Sequence, residues 1–95
     1  MSLAVGLLTL EIHLPYAHSL KDKRQRLRKL KDVLRGRFNV AVAELDHQEL
    51  WQRATIGVVT LSNDPAHLDQ QLDAVAAESE RLLGSELIET RRDYL

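Results

Sequence analysis

From residue 3 to residue 14 the chain is aliphatic and β-branched, interrupted only by Gly6. Leu8, Leu10, Ile12 and Leu14 fall on one face of an extended segment, and Leu7, Thr9, Glu11 and His13 on the other. Both faces begin apolar, as in a strand with neighbours on either side, and Pro15 ends it. The period then changes. Leu20, Leu27, Leu30 and Leu34 recur at helical spacing, behind Ser19-Leu20-Lys21-Asp22. There the Ser19 hydroxyl can accept an amide of the first turn while the Asp22 carboxylate reaches back, as in a capping box. Gly36 is the expected stop, which predicts a helix over about 20–35. Alternation returns in 38–46, with Phe38, Val40 and Val42 on one side and Ala41, Ala43 and Leu45 on the other. Asp46-His47-Gln48-Glu49 turns the chain into a third strand, 52–62, centred on Ile56, Val58 and Val59. A connection this short predicts an antiparallel hairpin. Asp64 is a good N-cap, and Pro65 loses no needed amide at the first helical position. Leu68, Leu72, Val75 and Leu82 make the second apolar stripe, and Gly84 ends it. Residues 85–92, with Leu87 and Ile88, read as a short, weaker strand.

The predicted order is β-α-β-β-α-β. Two crossovers and one hairpin give an α+β domain of the ferredoxin-like type, a four-stranded antiparallel sheet with both helices on one face. Residues 1–95 form one such domain, with no internal repeat or linker. The arrangement hosts many unrelated functions and implies none by itself.

Composition narrows the choice. The 95 residues include no cysteine, which rules out disulfides, zinc–thiolate sites and a thiol nucleophile. No run of apolar residues is long enough to span a membrane, and the first residues lack the basic region of a secretory signal. Both features suit a bacterial-type cytosol. The four glycines, Gly6, Gly36, Gly57 and Gly84, never form a phosphate loop. No serine sits in a nucleophile motif, and His13, His18 and His67 lack metal-ligand spacing. No cofactor, metal site or catalytic residue is expected.

The net charge of −1 hides an uneven distribution. Nine of the thirteen basic side chains lie in 21–37, opposed only by Asp22 and Asp32, so this segment carries +7 and the rest of the chain −8. With Leu20 at zero on a wheel of about 100° per residue, the leucines centre near 320°, and Lys31, Arg24, Arg35, Arg28 and Lys21 fall between about 20° and 100°. They form one stripe beside the buried seam. Arg26 and Lys29 are expected on the outer face. Lys23 falls near the seam, in the first turn, where it is expected to snorkel. Like charges at i,i+4, such as Arg24/Arg28 and Lys31/Arg35, repel, and bases in the first turns oppose the helix dipole. Phosphate binding is the ready explanation for such a stripe. The plainer alternatives are pairing with acids of the same chain or of a second copy, an acidic protein partner, or a membrane surface. With only four aromatic residues and no RRM-type stacking motif, base stacking on the open sheet face is not expected.

The segment 44–53 is the densest polar stretch. Glu44 and Asp46 are expected on one strand face, about 7 Å apart, beside His47. Two carboxylates and an imidazole can hold a cation or do acid–base work. Read plainly, the stretch is a hairpin end in water with Trp51 packed as an anchor.

Ser19-Leu20-Lys21-Asp22-Lys23-Arg24, then Arg37-Phe38-Asn39-Val40, the continuous 43–54 segment, and Ser62-Asn63-Asp64 resemble the YlxP-like bacterial family, whose function is unknown. The likeness runs through most of the chain and thins from Gly84 on. It implies a ferredoxin-like fold and a gene neighbourhood near translation-initiation and ribosome-binding-factor genes. It implies no activity or catalytic residue. The expectation is therefore a small RNA- or ribosome-associated accessory protein. Lys21, Arg24, Arg28, Lys31, Arg35 and Arg37 would contact phosphate, with Arg53 and His47 extending the surface. The rivals are a homo-oligomeric module pairing through the edge of 38–46, and an enzyme or metal site in the polar cluster of Glu44, Asp46, His47 and Arg53.

Overall fold

A computed structural model describes residues 3–95. Its elements are β1 (Ala4–His13), α1 (Leu20–Arg37), β2 (Ala41–Asp46), β3 (Arg53–Ser62), α2 (Pro65–Leu83) and β4 (Leu87–Tyr94), with one 3-10 turn over Gly84–Glu86. The strands form a single antiparallel sheet in the order β2-β3-β1-β4. This is the ferredoxin-like arrangement expected from the element order. In the central pair Leu8 faces Val58, Leu10 faces Ile56 and Ile12 faces Ala54. All six side chains are buried together with Leu27, Leu30 and Leu34 of α1 and Leu68, Leu72 and Val75 of α2. The strand alternation and the two leucine stripes thus meet in one core on the helix-covered face.

Local chemistry accounts for the helix starts. The Ser19 hydroxyl accepts from the Asp22 amide at 3.0 Å, and the Asp22 carboxylate accepts from the His18 amide at 3.0 Å. Asp64 accepts from the Ala66 amide at 3.0 Å, with Pro65 opening α2. Gly84 ends α2 with φ +55°, a conformation few other residues adopt.

Three expectations are corrected. First, α1 does not stop at Gly36. It runs on through Arg37, and the Phe38 amide still reaches the Leu34 carbonyl at 3.0 Å. Packing of Phe38 against the core outweighs the glycine's low helix propensity. Second, β2 starts at Ala41, because 38–40 are used in leaving the helix. Third, at the end of α2 Leu83 rather than Leu82 is fully buried, and the final strand of the expected length lies two residues later, at Leu87–Tyr94 rather than 85–92, because Gly84–Glu86 form the 3-10 turn.

Candidate nucleic-acid interface

The wheel position of each base in α1 decides its partner. Three bases between about 240° and 300° turn toward the rest of the chain and are paired there. The Arg26 guanidinium donates to Glu86 Oε1 at 2.6 and 3.0 Å and to the Leu82 carbonyl at 2.7 Å, and Tyr16 donates to the same carboxylate. Burial first, and then the hydrogen bond to Glu86, push the Tyr16 hydroxyl pKa up. Arg26 is therefore a bridge to the end of α2, not an outer-face residue. Arg37 pairs with Glu78 of α2 at 3.0 Å while remaining 59% exposed. Lys23 pairs with Glu44 of β2.

The stripe predicted between about 20° and 100° is different. Arg24, Arg28, Lys31 and Arg35, with Leu27, Asp32 and Glu44, line a groove of about 370 Å³ between α1 and the edge strand β2. Among the described residues, none of these four cations forms a salt bridge. Arg35 donates only to a backbone group, the Val42 carbonyl, at 2.8 Å. Lys21 is exposed outside the groove lining, and Arg37 is on the opposite flank. The groove thus gathers four of the six residues expected to contact phosphate.

The polar segment 44–53 does not form the expected carboxylate pair. Glu44 stands opposite Ile56, a core residue, but the ladder shifts at Leu45 so that Asp46 stands opposite Thr55. Thr55 belongs to the open face, where its hydroxyl donates to Glu11 at 2.8 Å. Because cross-strand partners share a face and a bulge shifts the alternation, Glu44 and Asp46 point to opposite sides of the sheet. Glu44 is taken by Lys23, and Asp46 accepts from the His47 amide at 2.7 Å. Arg53 pairs weakly with Glu11 at 3.8 Å. No group of three or more His, Cys, Asp or Glu among the described residues is placed to hold a metal ion.

Lys23 is the residue that sequence reasoning undervalued. It does not snorkel. Its side chain is 1% exposed. The ammonium is ringed by Glu44 Oε2 at 3.0 Å and the carbonyls of His47, Gln48 and Arg53 at 2.8, 3.3 and 3.3 Å. An ammonium has three donors and no acceptor, so this ring of oxygens satisfies it. The signal was its wheel angle, close to the leucine seam; the acceptors lie about 21 to 30 residues away in sequence and have no local signature. Trp51, a packed anchor in the plain reading of the hairpin end and otherwise of open burial from sequence, is 52% exposed, next to Leu50 at 50%. No helix among the described residues is long and apolar enough to cross a membrane.

The fold and the groove define a small ferredoxin-like α+β domain with a cationic furrow along its first helix. It shares this fold with the de novo designed protein Foldit4 (TM-score 0.59, 10% identity, 99% of this chain and 97% of that one). It shares it also with a C-terminal segment of the alpha subunit of aIF2 from Pyrococcus abyssi (TM-score 0.53, 16% identity, 100% of this chain and 51% of that one). At these identities the likeness is one of fold alone. The chain belongs to the family described as Protein of unknown function (DUF503), whose model matches residues 5–92. It is 33% identical over 61 residues to the Uncharacterized protein YlxP of Bacillus subtilis (strain 168), a match covering 64% of this chain and 66% of that protein, just under two thirds.

Proposed function

We propose that this domain is an RNA- or ribosome-associated accessory protein that holds a phosphate backbone in the groove between α1 and β2. The observation that carries the reading is the division of the α1 bases. Those facing the chain's own acids are paired with them, whereas Arg24, Arg28, Lys31 and Arg35 line one furrow without a carboxylate partner. Pairs such as Arg24/Arg28 and Lys31/Arg35 repel each other by a few tenths of a kcal/mol. A polyanion relieves that repulsion and gains the entropy of released counterions. Guanidinium forks suit phosphate oxygens bidentately. The family resemblance, with its gene neighbourhood near translation genes, favours RNA over other polyanions. The binding is backbone reading, with little sequence discrimination.

The test is binding of the purified protein to ribosomal subunits and to structured RNA at about 50 and 200 mM salt. Tight binding at the lower salt that weakens steeply at the higher is expected. Arg24→Glu with Arg28→Glu should abolish it and leave the fold intact by circular dichroism, since both side chains are exposed. Unchanged affinity in that double variant would sink the assignment.

A further inference from the structure

The hairpin end between β2 and β3 shows an unusual combination, a pinned backbone and an unburied aromatic ring. Three of its carbonyls, those of His47, Gln48 and Arg53, are held by the buried Lys23 ammonium. The Leu50 amide closes a turn on the His47 carbonyl at 3.0 Å. Gln52 is tied on both its backbone and its side chain. Its carbonyl accepts from the Leu14 amide at 2.9 Å, and its amide nitrogen donates to the Pro15 and Ala17 carbonyls at 3.0 and 3.2 Å. Trp51 sits between these anchors, yet half its surface is open to water. A tryptophan kept for packing is buried, with its indole N–H satisfied inside. Here the scaffold spends its hydrogen bonds on fixing the segment and leaves the ring presented.

The surroundings say what the ring meets. Trp51 lines a shallow depression with Glu49, Leu50, Gln52 and Arg53, whose guanidinium is turned to Glu11 at 3.8 Å. The hairpin end is joined to the cationic groove through the Lys23–Glu44 contact. Lys23, which pins the hairpin, is followed in α1 by Arg24 of the groove wall, and Glu44, which holds Lys23 at 3.0 Å, also lines the groove. A backbone lying along α1 toward its N-terminal end therefore approaches the hairpin that carries the exposed indole. Phosphate grip plus an aromatic platform is the combination by which proteins hold single strands, because every base has a π-face that stacks. Bases inside a duplex cannot reach such a ring.

We infer that Trp51 is a stacking platform for an unpaired nucleobase at the end of the α1–β2 groove. The inference rests on the reading of the groove as a phosphate site, and makes the ligand single-stranded RNA or an unpaired loop. Lys23 is a positioning residue in this scheme, acting through the hairpin backbone.

The experiment uses fluorescein-labelled oligouridine and oligoadenine of about twelve nucleotides, within the usual span of such sites, and a duplex of the same length. Anisotropy reports binding, and Trp51 reports stacking without labelling, because it is the only tryptophan. Expected are binding of the single strands in preference to the duplex and quenching of the tryptophan emission. In Trp51→Ala we expect a loss of roughly five- to a hundred-fold in affinity, with an unchanged salt slope. Trp51→Phe, which keeps a π-face, should retain most of the affinity. Equal binding by Trp51→Ala without quenching in the native protein would overturn the platform, leave the groove reading standing and make the tip an apolar contact for a protein. Phe and Ala variants that are equally weak, or a duplex bound as tightly as the single strands, would also overturn it. Absence of binding to any strand at low salt, together with no effect of Arg24→Glu and Arg28→Glu on RNA or ribosome binding, would remove both readings.

Discussion

A lysine shut away from water must be offered oxygen on several sides, and Lys23 is. Its neighbours are one carboxylate and three carbonyls drawn from β2, the following turn and the start of β3. Removing the ammonium strands the Glu44 carboxylate and takes a donor from three part-buried carbonyls, which is costlier than the pair's net contribution. We expect Lys23→Met to destabilise the domain by about 3–5 kcal/mol, read as a lowered urea midpoint. Adding Glu44→Leu should recover part of that loss, because the stranded charge goes with it. Additive penalties in the double variant would show that Lys23 and Glu44 do not act as a pair. The same residue bears on the hairpin tip: once the clasp is gone, Trp51 emission should become that of a mobile, fully hydrated indole.

At the scale of elements, α1 is tied to the C-terminal part of α2 by Arg37 on Glu78, which Arg81 also holds, and to the turn after it by Arg26 on Glu86. The hydrogen bond from Arg81, opposed by burial and aided by Arg37, holds the Glu78 carboxyl below its ordinary value of 4.5. A carboxyl whose folded-state pKa is depressed binds its proton more readily when the chain is unfolded. Its contribution is therefore fully present above the ordinary value and is lost as pH falls through the depressed one. Melting temperature should accordingly fall between about pH 6 and pH 3 in the native protein, and Glu78→Gln should start lower and show a shallower decline. Parallel curves for the two proteins would show that this contact contributes nothing to acid sensitivity. At the sheet edge, Arg35 holds the Val42 carbonyl of β2, and β2 is only six residues long. Short, side-chain-covered edges of this kind resist strand addition by a second copy.

For the whole molecule, a net charge of −1 coexists with a cationic furrow, so salt dependence says more about the surface than isoelectric point does. Neutralising about four phosphates on a single strand gives a slope of log affinity against log salt near −3. Each groove arginine changed to alanine should reduce its magnitude by about 0.7, in anisotropy titrations across salt. Arg26→Ala and Arg37→Ala, whose guanidinium groups are paired with Glu86 and Glu78, should change that slope much less. A slope that Arg24→Ala leaves untouched would mean that the backbone does not lie in this furrow.

Periodicity, caps and turn residues determined the element order, the buried face of β1 and the stripe of α1. All of these depend on local geometry, in which residues two, three or four apart are neighbours. Even the split between paired and groove-lining bases is visible as wheel angles on either side of Leu27, Leu30 and Leu34. Only the tertiary structure decided what those angles meet: Glu86 and Glu78 on one flank, the β2 edge on the other. It also decided that helix α1 passes through Gly36, that the irregularity at Leu45 sends Glu44 and Asp46 to opposite faces, and that Lys23 is buried while Trp51 is not. In each case the deciding partner comes from a different part of the chain or from a change in ladder register. Helical and strand periods carry no record of such contacts, because packing chooses them only when the elements come together.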